Sequence, residues 1–463
     1  MPDHLLFNAF TMSTVSHLLH GLWTHPDSRH RDYADLGAWL ELAALLDDAD
    51  FDALFLADVA GVHETYGGSP AQAVLEGVQV PANDPSMLLS ALAASTRRLG
   101  LVFTQSILQE PPFNFARRVS TLDHLSRGRV GWNIVTSHLS NAARNLGLDD
   151  LPDHDERYAR AEEYTEVVYR LWEESWADDA VLADPSTGRY ADPAKVRKIN
   201  HAGTYYRVEG PHLCEPSPQR SPVLFQAGSS KAGREFAARH AEGVFIDAVT
   251  PLGAHEQIAD IRARAGRHGR NPDDLLFFAG LSFVVGGTEA EAAGKDAEIR
   301  AHLSETAFAA QFSSAVGSDV TELGLDTPIR LIRTNTQQGW LTSLRESAPD
   351  QEWTLGTALT ARMGRRVVGT PERIADQLAE WRAAGVDGVN VIAATTPGTY
   401  RDFIDGVLPE LRRRGLARTE PTEEGLTLRE RLFPGRPARL TANHPAGRRR
   451  LYPHRNHEEK AVS

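Results

Sequence analysis

Eight short apolar runs, each bounded by turn residues and separated by helical patterns, restrict the fold of this chain more than any other feature. They are Leu5–Phe10, Ala53–Ala57, Leu99–Phe103, Val130–Val135, Val223–Ala227, Gly243–Ile246, Leu276–Val285 and Gly388–Ile392. Most lack the polar–apolar alternation of a half-exposed strand, so they read as strands covered on both faces. Between them lie helical patterns such as Trp39–Leu46, Met87–Thr96, Ala116–Leu125, Arg157–Trp172, Ala232–His240, Ile258–Arg264 and Ile374–Ala384. Strand and helix alternating about eight times predict parallel βαβ units closed into a (β/α)₈ TIM barrel, an α/β fold whose active sites sit at the C-terminal ends of the strands.

Local chemistry marks several helix starts. Thr288 with Glu291 and Asp153 with Glu156 have the spacing of a capping box, and Thr370-Pro371 reads as an N-cap followed by proline in the first turn. Two connections, about 137–222 after the fourth strand and about 301–364 after the seventh, are too long for simple loops and read as binding segments or lids. The segment Ala301 to Gly364 is the candidate lid. The regular pattern stops near Leu416, which predicts a barrel domain over residues 1–416 and an extended C-terminal tail over 417–463. In that tail Arg448, Arg449 and Arg450 read as a solvated, mobile cluster.

The 463 residues, 41% of them hydrophobic, suffice for a large core, and barrels with insertions reach this length as one domain. A net charge of −13 repels phosphate backbones and anionic lipid, which speaks against nucleic-acid or membrane-surface partners. Cys214 is the single cysteine, so neither an intramolecular disulfide nor a multi-cysteine metal site is available. No HExxH or clustered Cys/His spacing points to zinc. With no basic leader and no run of about 18 apolar residues, the expected location is the cytoplasm.

Polar residues that end apolar strands are placed at the catalytic rim. Asp58 closes the second strand, Thr104 the third, Asn133 and Thr136-Ser137-His138 accompany the fourth, and Ser229 and Ser230 follow the fifth. Together they make a cup of donors and acceptors. Gly228-Ser229-Ser230 ahead of a helical segment offers free backbone N–H groups and hydroxyls suited to a phosphate, without a Walker lysine or a Rossmann GxGxxG. His154 and Tyr158, four residues apart, project from one helix face. His17, His20, His63 and His138 add imidazoles at or near the rim, candidates for general acid or base.

The segments Phe51-Asp52-Ala53-Leu54-Phe55-Leu56-Ala57-Asp58, Ser120-Thr121-Leu122-Asp123-His124-Leu125-Ser126 with Gly128-Arg129, Trp132-Asn133-Ile134-Val135-Thr136-Ser137, His154-Asp155-Glu156-Arg157-Tyr158 and Gln226-Ala227-Gly228-Ser229 resemble the nitrilotriacetate monooxygenase group of the bacterial luciferase-like superfamily. That group includes the dibenzothiophene sulfone, dimethyl sulfide and long-chain alkane monooxygenases. The likeness runs from about Leu5 to Leu416 and extends to Thr427-Leu428-Arg429-Glu430. It implies an FMN site at Asp58, Thr104, His154, Tyr158 and Ser229, with Asn133, Ser137 and Ser230 as additional contacts. It also implies that a separate NAD(P)H:flavin reductase supplies FMNH2 by diffusion, and that the protein uses dioxygen to oxygenate a small organic substrate through a flavin peroxide in a dry, lidded cavity. His17 and His138 are then the groups expected to manage the proton, and a homodimer or homotetramer the expected assembly. Asn200-His201 and Gly210-Pro211-His212-Leu213-Cys214-Glu215-Pro216 share the wording of the alkane branch, while Thr14 stands where that branch has cysteine and His63 where it has tyrosine.

Three other readings share the barrel. A deazaflavin-dependent hydride-transfer enzyme would lack the His154/Tyr158 motif and the long insertions, a non-catalytic flavin-binding protein would lack a substrate cavity, and a phosphate-binding lyase would place a Schiff-base lysine on a strand end.

Overall fold

The computed structural model describes residues 2–336, 341–342, 344–345, 351–363 and 366–450. Eight parallel strands form a closed ring: β1 (Leu6–Met12), β2 (Ala53–Ala57), β3 (Gly100–Ser106), β4 (Val130–Val135), β5 (Val223–Gln226), β6 (Gly243–Ile246), β7 (Leu276–Val285) and β8 (Gly388–Ile392). Each pairs with the next, and β8 closes on β1 with Leu6 opposite Gly388 and Phe10 opposite Ile392. The TIM barrel expected from the eight apolar runs is therefore present. β1 and β3 run further toward the rim than their apolar stretches suggest, because Thr11, Thr104, Gln105 and Ser106 keep the ladder although they are polar. The ten residues of β7 serve three partners: Leu276–Ala279 pair with β6, Phe278–Leu281 with β8, and Ser282–Val285 with a short strand, Arg366–Gly369, from the end of the second insertion.

The strands are apolar on both faces because two cores need them. Outward residues such as Leu54, Phe103, Trp132 and Val389 pack under the helical layer, while Leu6, Phe10, Phe55, Val102, Phe225 and Phe278 fill the barrel itself. The Thr288 cap is made, its hydroxyl accepting from Glu291 N–H, and Thr370 likewise accepts from Arg373 N–H. Asp153 makes no side-chain cap on the helix His154–Tyr169. That terminus is capped instead by Asn335 of the second insertion, whose Oδ1 accepts from His154 N–H at 2.7 Å.

Residues 417–450 cover the N-terminal end of the barrel. A capping box between Thr427 and Glu430 starts the short helix Leu428–Leu432, which inserts Leu428, Leu432 and Phe433 into the barrel interior. Space for Leu428 is left by Gly100, where a Cβ would meet its Cδ1 at 2.4 Å. The flanking arginines are buried with carboxylates: Arg429 with Glu242 at 2.6 Å, Arg431 with Asp52 at 2.9 Å and with Asp50 at 3.1 Å. Arg448, Arg449 and Arg450 are no loose cluster. Arg450 pairs with the fully buried Glu173 at 2.8 Å, Arg449 with Glu166, and Arg448 donates to backbone carbonyls of Asn443 and His268. The sequence pattern missed this because the acidic partners lie more than 250 residues earlier in the chain. The last stretch of the expected tail, 451–463, and parts of the candidate lid lie outside the described residues.

Removing one member of a buried pair leaves an uncompensated charge. Arg429→Ala, which strands Glu242, is expected to lower stability by about 3–5 kcal/mol. Arg97→Ala, which breaks an exposed bridge to Glu424, is expected to cost less than about 1 kcal/mol. Equal urea midpoints for the two variants would contradict this account of the barrel floor.

Candidate active site

At the C-terminal ends of the strands lies a cavity of about 380 Å³, lined by the eight residues expected to hold the cofactor, Asp58, Thr104, Asn133, Ser137, His154, Tyr158, Ser229 and Ser230, and by His17 and His138; His20 and His63, the other two rim imidazoles of the sequence, do not line it. The parallel register brings several together directly. Thr104 on β3 stands opposite Asn133 on β4, and Asn133 Nδ2 donates to Thr104 Oγ1 at 2.9 Å, leaving the buried Asn133 Oδ1 without a partner. Both residues lie inside their strands, two positions short of the ends, so they form the cavity floor and not its edge.

Asp58 follows β2 directly and accepts from Gln109 Nε2 at 3.1 Å. Burial, set against that one amide and the Val59 N–H, pushes its carboxyl up to about 6. The histidines are shifted the other way. Burial lowers His17, His20 and His138 to about 3 and His63 to about 4, so at neutral pH these rings are uncharged. His17 and His138 thus enter the site as neutral hydrogen-bonding rings. The tautomer of His63 follows from its neighbours: Gln79 Nε2 donates to the His17 carbonyl at 2.8 Å, which turns Gln79 Oε1 toward His63 Nε2 at 3.0 Å. His63 Nε2 therefore carries the proton, and its buried Nδ1 is a bare acceptor with no partner.

The phosphate-type corner is built at the start of the helix Lys231–His240. Ser230 caps that helix, its hydroxyl accepting from Gly233 N–H at 3.1 Å, and Ser229 Oγ donates to Asp247 Oδ2 at 2.9 Å. Gly228 is pressed between chain segments: a Cβ there would meet Gln226 Nε2 at 2.3 Å and Tyr158 Oη at 2.5 Å. The Tyr158 ring packs 5.1 Å from His154 and 5.8 Å from Phe236, and burial raises its phenol above the ordinary value, keeping it a donor. Ser137, at φ +63°, hydrogen-bonds Ser106 Oγ at 2.8 Å.

Several lining residues escaped sequence reasoning. Gln226, with Oε1 buried and unpartnered, and Asp247, one residue beyond β6, follow the same strand-end logic that marked Asp58. Arg157 is 1% exposed, forms no ion pair among the described residues, and donates to the carbonyls of Ser137 and Asn335, with Nε unpartnered. Asn335 and Arg362, both from the second insertion, reach the site only through the fold and carry no local signal. Among the described residues no three His, Cys, Asp or Glu side chains cluster as a metal site, and no helix is long and apolar enough to cross a membrane.

The site is thus a polar cup at the strand ends of a closed parallel barrel, and the family match gives its class. Residues 16–388 match the luciferase-like monooxygenases, and the chain belongs to that family; it is a flavin-dependent monooxygenase. It is similar to the long-chain alkane monooxygenase of Geobacillus thermodenitrificans, 45% identical with 97% of this chain and 99% of the relative covered. It is also similar to the dimethyl-sulfide monooxygenase of Hyphomicrobium sulfonivorans, 42% identical with 97% and 94% covered. A crystal structure of riboflavin lyase with modified FMN and riboflavin superposes with a TM-score of 0.90 at 37% identity, covering 97% of this chain and 100% of that one.

Two outcomes test the geometry. Asp58, raised from 3.8 to about 6, favours the native state below pH 4, and this contribution is lost as pH rises through about 6. Asp58→Asn is therefore expected to raise the melting temperature at pH 8 and to leave it unchanged at pH 4; a gain confined to the acid side would contradict the burial argument. Asn335→Ala removes a helix cap of about 1 kcal/mol, and amide hydrogen exchange should accelerate over residues 154–158 while staying unchanged in Lys231–His240.

Proposed function

We propose that the protein is the oxygenase of a two-component system: it takes FMNH2 from a separate NAD(P)H:flavin reductase and uses dioxygen to oxygenate a small organic substrate. The observation that carries this reading is the Gly228 crevice. Only a residue without a side chain lets Gln226 and Tyr158 Oη pack this closely against the backbone beside the helix N-terminus, where N–H groups and the macrodipole favour a phosphate. The buried, unpartnered Asn133 Oδ1, Gln226 Oε1 and Arg157 Nε are polar atoms that the alternating donors and acceptors of FMN would satisfy. The modified FMN in the structure of riboflavin lyase supports the same cofactor.

In this reading Ser229, Ser230 and the Tyr158 hydroxyl hold the phosphate, and Arg157 balances its charge from behind. His154 packs on Tyr158 and fixes its ring. Asp58, Thr104, Asn133 and Ser137 face the ribityl chain and the ring system. Reduced flavin supplies the electrons that activate dioxygen, and the chain's own task is to orient the substrate and keep water away. Phe10, Phe245 and Ile392 close the floor with apolar surface. The neutral His17 and His138 hold the proton positions on the substrate side, since an uncharged imidazole offers one donor and one acceptor. The same reading takes residues 1–416 as the barrel domain and 417–463 as its tail, acting in the cytoplasm as a homodimer or homotetramer.

Purified protein is expected to oxidise NADH only when a flavin reductase is added, and Ser229→Ala to weaken anaerobic binding of FMNH2 by at least tenfold. NADH oxidation by the protein alone would overturn the two-component assignment. Unchanged affinity in Ser229→Ala would overturn the phosphate corner.

A further inference from the structure

Gln109 lines the cavity beside Asp58 and is not among the residues that the flavin reading uses. It lies in the turn after β3, where its N–H donates to the Ser106 carbonyl at 3.1 Å. Its side chain folds back onto the same strand end, and Ser106 N–H donates to Gln109 Oε1 at 2.6 Å. A backbone N–H can only donate, so this bond fixes which end of the amide is oxygen and directs Nε2 at Asp58 Oδ2, 3.1 Å away. The turn is held further through Ser106 Oγ, which accepts from Leu108 N–H at 3.2 Å and from Ser137 Oγ at 2.8 Å. One amide thus ties the end of β3 to the end of β2 in a single orientation.

Burial is the largest influence on the Asp58 carboxyl and pushes it up to about 6; the Gln109 amide is the largest influence in the opposite direction. The other donor is Val59 N–H, and the charged group that bears on the carboxyl is Asp84, which opposes ionisation. Glu110, next along the turn, is paired with Arg118 at 2.6 Å. A fixed N–H donor stabilises a carboxylate more than it does the acid, so the Gln109 amide works against protonation of the oxygen it faces.

Resting on the flavin reading for what Asp58 faces, we propose that Gln109 is a positioning residue: it holds the Asp58 carboxyl at the rim and competes with a proton for Oδ2, and so sets the charge that Asp58 presents to the flavin. An anionic phosphate ester entering a cavity of low dielectric favours the uncharged acid. Gln109 keeps Asp58 able to give that proton up again when the flavin leaves.

The test is a pH titration of cofactor-free protein by infrared spectroscopy, with the Asp58 acid band identified by its loss in Asp58→Asn. Wild type is expected to titrate at about 6. Gln109→Met removes the donor and is expected to move the midpoint up by about one unit, a tenfold change in proton affinity. Gln109→Glu keeps an acceptor for Ser106 N–H, and with it the turn, but sets a second carboxyl against Asp58; the midpoint is expected to rise at least as far. A midpoint unmoved in both variants would overturn the inference. So would a midpoint moved in Gln109→Met alone, because loss of the turn would then explain the shift. Calorimetry of oxidised FMN binding at pH 7, in buffers of different ionisation heat, counts the protons taken up: wild type is expected to take up more than Asp58→Asn, and Gln109→Met an intermediate amount. Shifted midpoints with equal uptake in all three proteins, or with no FMN binding, would uphold the grip of Gln109 on Asp58 and count against the flavin reading of the rim.

Discussion

Closure of the parallel ladder between β8 and β1 is the constraint on which the rest of the molecule depends. Once Leu6 stands opposite Gly388, the stagger of the other strands is fixed and so is the height at which each one ends. Thr104 then faces Asn133 across a single ladder rung, and Asp58, Ser229 and Asp247 leave β2, β5 and β6 at the same rim. None of these side chains could find the others by local interaction, because even the nearest two in sequence, Ser229 and Asp247, are 18 residues apart. The ring supplies the proximity, and the helices outside it keep the strands dry enough for their hydrogen bonds to hold.

Drying has electrostatic consequences. A carboxylate at the mouth of an apolar strand is denied water, which is why Asp58 titrates near neutrality while exposed acids such as Asp184 fall to about 2. The same desolvation strips protons from the surrounding imidazoles. At these positions ordinary expectations are reversed for both residue types: Asp58 is the group poised to change charge, and His17 and His138 are not. Two arginines, Arg157 and Arg362, also line the cavity.

The barrel and most of its rim were legible in the sequence because both depend on local pattern. Uninterrupted apolar runs announce buried strands, and a polar residue after such a run announces the rim; Asp58 and Ser229 were found this way, and Asp247 obeys the same rule. What local pattern does not hold is partnership across the chain. Asn335 caps a helix that begins 181 residues earlier, and the basic Arg448–Arg450 stretch reads as solvent-facing until Glu166 and Glu173 are brought beneath it. Asp153 has the right type and spacing for a cap and loses that role to Asn335. The strands β1 and β3 overran their apolar stretches because ladder hydrogen bonds do not require apolar side chains.

The placement of Leu428 sets an order on the making of the molecule. A ribosome releases the eight strands long before it releases the short helix that fills their lower end, so the nascent barrel has Phe55, Val102 and Phe225 walling an open hole. In that interval the barrel is a tube. The last strand to join, β8 (Gly388–Ile392), precedes the helix Leu428–Leu432 in the chain, so the plug is always made after the ring it fills. Final consolidation of the interior is thereby deferred until the segment carrying Leu428 has followed the strands, and the lower end of the barrel becomes firm only then.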